Sequence, residues 1–240
     1  NFNAGGNGTN FTLNSARGDA IYLSQTDGGG NLTGYRAQVA FGAAENGVSF
    51  GRFPTSVGSD FVAMAQRTFG ADNPGTVDQF RTGTGLANSY PKVGPVIINE
   101  IMFHPNSGGV ELLGEEFVEL HNVTDSPVPM FDPVNPGNGW RLSGGALFNF
   151  TANHTIPARG YLLVVNFNPT TNPSAVANFR AKYGNNGTLA GPFVGRLDNA
   201  GEELALSRPD VPHQPPHPDA GFVPMILVDR VVYDDVAPWP

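Results

Sequence analysis

The chain contains no cysteine. This excludes disulfide staples, thiolate metal sites and cysteine nucleophiles, and it suits an exported bacterial protein that escapes thiol oxidation. Charge is scarce as well. Only 14% of the 240 residues are Asp, Glu, Lys or Arg, and 13 basic residues against 21 acidic ones leave a net charge of −8. Affinity for nucleic acid rests on Lys and Arg neutralising phosphates, so this balance excludes that function class and opposes docking on anionic membranes. No apolar run approaches the ~18 to 20 residues of a spanning helix. No P-loop, no Gly-x-Ser-x-Gly elbow and no dinucleotide fingerprint occurs; "GGNGTNF" is glycine-rich but lacks the Lys-Ser/Thr ending. Asn1 follows neither an initiator Met nor a basic-then-apolar leader, which predicts a processed product or a window onto a longer chain.

Turn chemistry is plentiful. The 31 Gly and 21 Pro, together with many Asn, Thr and Ser, suit short strands joined by tight turns, because Gly and Asn accept positive φ and Pro fixes it. The expected class is an all-β, loop-rich, extracellular or cell-surface protein.

Two passages share a spacing. "FTLNSARGDAIYLSQTDGG" at 11–29 and "GRLDNAGEELALSRPDVPH" at 195–213 each run from an apolar residue through a polar turn to an acid and an alternating strand. A loop and a second strand follow in both, "YRAQVAFG" and "VDRVVYDD", the second loop being longer by about nine residues that include "HQPPHPDAG". This repeat predicts a layout of three parts. Residues 1–74 carry the first strand pair, a further strand "GVSFGRFP" and a closing segment. Residues 75–95 read as a linker or a surface-hugging connection. Residues 96–240 form a longer unit ending in the second pair.

Within that unit "VIINEIMF", "EEFVELHNV", "GWRLSG" and "RGYLLVVNF" read as strands. One helix is expected near 174–183, with Ser174 as its cap, Val176, Phe179 and Tyr183 on one face, and Gly184 as its stop. Short strands at these intervals predict a β-sandwich. An acid inside an apolar run needs a partner, and for Glu100 the candidates are Arg141 and Arg159.

The series "VIINEIMFHP", "EEFVELHNVTDSPVPM", "GWRLSGG", "FNFTANHTIPARGYLLVVN", "FRAKYG", "LDNAGEELALS" and "VDRVVYDD" resembles the lamin tail domain over most of 96–240. The resemblance implies an immunoglobulin-like β-sandwich of the kind found in bacterial secreted and surface proteins. It also implies that residues 1–74 are the second half of another such domain and that 96–240 lacks its last strand. An unfinished sheet offers bare N–H and C=O groups to a neighbour. The expected function is therefore a non-catalytic structural subunit whose partners are copies of itself, set head to tail in a filament or surface assembly by sharing strands or by tandem stacking of sandwich domains. The candidate assembly strands carry Val48, Phe50, Phe53, Val231, Val232 and Tyr233. The other reading is a ligand- or glycan-binding accessory module of a larger secreted protein.

Sites for chemistry are sparse. His213 and His217 are four apart, but the prolines between them forbid the helix that would align them. His121 falls on the solvent side of its strand. Acids cluster at Glu111, Glu115, Glu116 and Glu119, and again at Asp229, Asp234 and Asp235, on faces expected to be exposed, so no opposed catalytic pair is predicted and no enzyme. Calcium is the one cofactor whose oxygen-ligand chemistry the turns offer, at Asp27 with Asn31 and at Asp198 with Asn199. Sequons stand at Asn7, Asn10, Asn31, Asn122, Asn149, Asn153 and Asn186.

Overall fold

The computed structural model describes residues 13–55, 58–68, 89–107, 110–184, 187–216 and 219–235. It divides into two compact units, Asn1–Lys92 and Val93–Pro240. The described residues are mostly β-strand, with one α-helix, as the turn-rich composition predicts.

The first unit holds two hairpins. β1 (Asp19–Thr26) pairs antiparallel with β2 (Leu32–Phe41), and β3 (Phe50–Thr55) pairs with β4 (Gly58–Ala63). Aromatic rings connect them: Phe50 lies 5.7 Å from Phe41 and 6.0 Å from Phe61. The expected linker is partly structural. Ala65 donates its N–H to Tyr90 O and Lys92 donates to Ala63 O, each at 2.8 Å, so 89–92 runs along the end of β4. Pro91 is tolerated there because it sits in an isolated bridge where no donor is required of it. Lys92 also pairs with Glu45. Residues 75–88 of the expected linker lie outside the described residues.

The second unit is a β-sandwich. In chain order it contains β5 (Val96–Met102), the short pair β6 (Asn106–Ser107) and β7 (Val110–Glu111), β8 (Phe117–Asn122), β9 (Val128–Pro129), β10 (Arg141–Ser143), β11 (Ala146–Asn149), β12 (Thr155–Ile156) and β13 (Tyr161–Val165). After helix α1 (Pro173–Tyr183) come β14 (Thr188–Ala190), β15 (Val194–Gly195), β16 (Gly201–Pro209) and β17 (Met225–Asp234). One sheet runs β14-β13-β8-β5 and the other β15-β11-β10-β16-β17. Their inner faces share one core, in which Val118, Leu120, Leu162 and Val164 meet Leu142, Leu197, Leu204 and Leu206. At ~25 cal/mol per Å² of apolar surface removed from water, this cluster is the main source of the unit's stability.

The helix forms where expected, but its cap is Asn172 and not Ser174. The Asn172 side chain accepts the Ala175 N–H at 3.0 Å, and Pro173, which has no N–H to satisfy, opens the first turn. Ser174 is already inside the helix. Gly184, at φ 90°, ends it and donates to Arg180 O. The helix lays Phe179 over Phe117, Leu163 and Val165 on the outer face of β8 and β13, and Lys182 with Tyr183 clasps Glu115. It also returns the chain so that β14 runs parallel to β13.

The outer strands β5 and β17 approach each other where each carries a bulge. There the Ile98 N–H donates to the Asp229 carboxylate at 2.7 Å, and the Phe103 and Tyr233 rings lie 4.7 Å apart. A half-buried carboxylate thus satisfies an edge donor that the ladder leaves free. Asp229→Ala is expected to lower the unit's unfolding free energy by about 1 to 2 kcal/mol, read from a urea melt followed by tryptophan fluorescence.

Candidate functional site

The repeated strand pair is the feature that the structure develops furthest. Both copies are long antiparallel hairpins with the same register over their first five pairs, from Asp19 opposite Phe41 to Leu23 opposite Ala37 in β1–β2 and from Glu202 opposite Tyr233 to Leu206 opposite Asp229 in β16–β17. Their entry turns share two bonds. Asn14 caps its turn by accepting the Ala16 and Arg17 N–H groups, and its own N–H goes to the Asp19 carboxylate at 3.1 Å. Asp198 likewise accepts the Ala200 N–H, and its own N–H goes to the Glu202 carboxylate at 3.0 Å. Each turn then needs a glycine. Gly18 has φ 82° and Gly201 φ 105°, and a Cβ on them would stand 2.2 Å from Phe41 O and 2.5 Å from Tyr233 O. No side chain fits at either place.

The copies differ in what covers them. Leu197, Leu204 and Leu206 are all 0% exposed, whereas their counterparts Leu13, Ile21 and Leu23 are 49%, 42% and 66% exposed. Strand alternation puts Ile21 and Leu23 on one face with Ala37, Val39 and Phe41, and Tyr22, Gln38 and Ala40 on the other. Asp19, opposite Phe41, shares the first face, on which Ile21 and Leu23 are exposed while Ala37, Val39 and Phe41 are half-buried, Phe41 against Phe50.

The assembly candidates divide between inside and outside. Phe50 and Phe53 already belong to the β3–β4 hairpin and stack within the first unit, Phe53 lying 6.0 Å from Tyr90. Val48 precedes that hairpin and is half-buried. In β17, Val231 packs on the core and Tyr233 is buried in it. The Tyr233 hydroxyl donates to Glu202 at 2.8 Å, and burial beside that carboxylate raises its pKa well above the ordinary tyrosine range. Val232 alone of the three faces solvent, 59% exposed. Among the described residues β17 has one ladder partner, β16.

The two aspartates among the calcium candidates spend oxygens on their own turns. Asp27 Oδ1 accepts the Gly29 and Asn31 N–H groups at 2.9 Å, and the Asn31 amide donates to both carboxylate oxygens. These bonds, the Asn31 side chain foremost, hold the Asp27 carboxyl below the usual aspartate range. At the second candidate Asp198 caps its turn as described, and Asn199 adds one amide oxygen. Calcium takes six to eight oxygens, so two residues at each turn fall well short of a site. Among the described residues no group of three or more His, Asp or Glu side chains is placed to hold a metal.

The sequons are corrected at one position. Asn122 is 0% exposed. Its amide nitrogen donates to Ser126 O, Ile156 O and Pro157 O, and its oxygen accepts from the Thr124 N–H and hydroxyl. Thr124, the sequon's own threonine, is thus part of a clamp that ties β8 to the β12 end, and the nitrogen has no room for a glycan. Asn31, Asn149 and Asn153 are exposed, while Asn7, Asn10 and Asn186 lie outside the described residues.

Two expectations about acids are overturned. Glu116 is not on a solvated face; it is 1% exposed, accepts the Leu197 N–H at 3.3 Å and lies 3.9 Å from Arg196. It precedes β8 and points beneath the turn that opens the second hairpin, a placement no local pattern reveals. Glu100 bonds neither proposed arginine, because Arg159 holds Asp125 and Val123 O, and Arg141 holds Asn149. Glu100 is exposed, so water meets its need for a partner. His121 stacks on Tyr161 at 4.3 Å, a directly opposed cross-strand pair, with Nδ1 3.1 Å from Gly160 O. His154 sits against Phe148 and Phe150, and burial lowers its pKa below the ordinary 6.5. His213 anchors the long second loop through backbone bonds with Phe222 and Gly221; His217 lies outside the described residues. These histidines serve packing and loop order. No family model matches this chain, and no curated protein matches it either.

Proposed function

We propose that this chain is a non-catalytic structural subunit of an extracellular filament or surface assembly, built of immunoglobulin-like sandwiches of the lamin tail kind joined head to tail. One observation carries the reading. The first unit repeats the second unit's hairpin in register, turn and glycine, yet leaves open the three apolar positions that the second unit buries. Repeated modules of this kind bury their faces by stacking on neighbours, and such stacking gives extended structures. The acidic surface and the exposed sequons Asn31, Asn149 and Asn153 suit an extracellular setting, and the alternation of opposed, hydrogen-bonded strands supplies scaffolding.

The test is the particle formed by the full chain. Light scattering and negative-stain electron microscopy over rising protein concentration are expected to give elongated particles that lengthen with concentration. A 25.4 kDa monomer at every concentration, retained on an immobilised polysaccharide, would overturn the structural reading in favour of a glycan-binding accessory module.

A further inference from the structure

The structure assigns an occupant to the open face of the β1–β2 hairpin: a four-stranded sheet with the inner-face chemistry of β14-β13-β8-β5. The two hairpins share five register pairs, a glycine and two entry-turn hydrogen bonds, so the second unit displays what the first hairpin is shaped to receive. In that unit Leu197, Leu204 and Leu206 lie in one cluster with Val118 and Leu120 of β8 and Leu162 and Val164 of β13. Their counterparts Leu13, Ile21 and Leu23 present side chains of the same size at the same register. The partner is therefore a sheet of alternating strands whose apolar residues point at this face.

Width separates this partner from a second copy of the hairpin. Strands in a sheet are about 4.8 Å apart, so a two-stranded hairpin offers about 10 Å of cover and a four-stranded sheet about 19 Å. Leu13 stands in the entry turn, off the ladder, and its counterpart Leu197 is completely buried. Covering the turn and both strands together takes the wider sheet. Charge agrees with this, since the acid this face carries, Asp19 opposite Phe41, matches Glu202 opposite Tyr233 in the covered hairpin, and Val118, Leu120, Leu162 and Val164 opposite the second hairpin carry no charge.

This inference rests on the proposed reading of the repeat as a module completed by others, and its test is intramolecular. In the second unit the chain passes from Arg196 directly into Leu197, so the repeat dictates the join. In the full chain, residues 1–12 are exchanged for a copy of 96–196, placing Arg196 of the copy immediately before Leu13. Hydrogen exchange of the β1–β2 amides, followed by mass spectrometry, is expected to slow by about 100-fold or more relative to the parent chain. Adding Leu23→Asp to the grafted chain is expected to abolish that gain, while the β16–β17 amides stay unchanged. Unaltered exchange across 19–41, with the grafted segment cleaved at once by trypsin, overturns the inference. So does self-association of the parent chain that Leu23→Asp removes and that protects 19–41 as fully as the graft, because the occupant is then a second copy. Failure of the chain to form filaments bears on the proposed function and leaves the graft result intact.

Discussion

Leu206→Ala is expected to lower the unfolding free energy of the second unit by about 3 kcal/mol, and Leu23→Ala to change that of the first by less than about 0.5 kcal/mol. The residues occupy equivalent places in the two hairpins, so residue type and position in the repeat cancel in the comparison. What remains is cover. Leu206 is fully enclosed, and cutting it back to a methyl group forfeits its transfer energy and leaves a cavity that a rigid sandwich closes only in part. Leu23 is 66% exposed, and most of what alanine removes is already in water. Trp140, buried in the second core, reports the first measurement by fluorescence in urea. Amide exchange of the 19–41 peptides reports the second. Equal losses at both positions would mean that the open face is covered in solution, and the pair would then measure its partner.

Asn122→Asp carries the other large effect, about 3 to 5 kcal/mol of lost stability. The asparagine amide gives its hydrogens to three carbonyls around the end of β8. A carboxylate in its place would donate nothing and would turn negative charge toward those oxygens in a site without solvent. The thermal midpoint should fall by more than 10 °C for a unit of this size. The same geometry predicts that peptide mapping of protein from a glycosylating host finds folded material unmodified at Asn122. A glycan attached there before folding would act as the mutation does.

The repeat was legible because its parts are local. A turn beginning at Asn14 or Asp198, a glycine required a few residues on, an acid reaching back and an alternating strand are all contained within some ten residues, and each leaves a residue type behind. The helix was legible for the same reason, though its cap was misplaced by two residues because Asn172 and Ser174 are both good caps and only Pro173 decides between them. Glu116, Asn122 and Asp229 were not legible in this way. Their partners are Leu197, Pro157 and Ile98, which are 81, 35 and 131 residues away. A carboxylate bound to a distant backbone N–H looks in the sequence like any surface acid. The sequon at Asn122 shows the same limit, since its pattern is complete while its nitrogen is spent on carbonyls brought in by another strand.

By itself the sequence determined the class of fold, the repeat, the strands and the helix, because alternation, turn residues and caps act over a few neighbours and need no knowledge of what lies opposite. Only the tertiary structure decided which of two equivalent hairpins is closed. Burial is a property of pairs of surfaces, and Leu23 and Leu206 sit in the same local pattern with different surfaces above them.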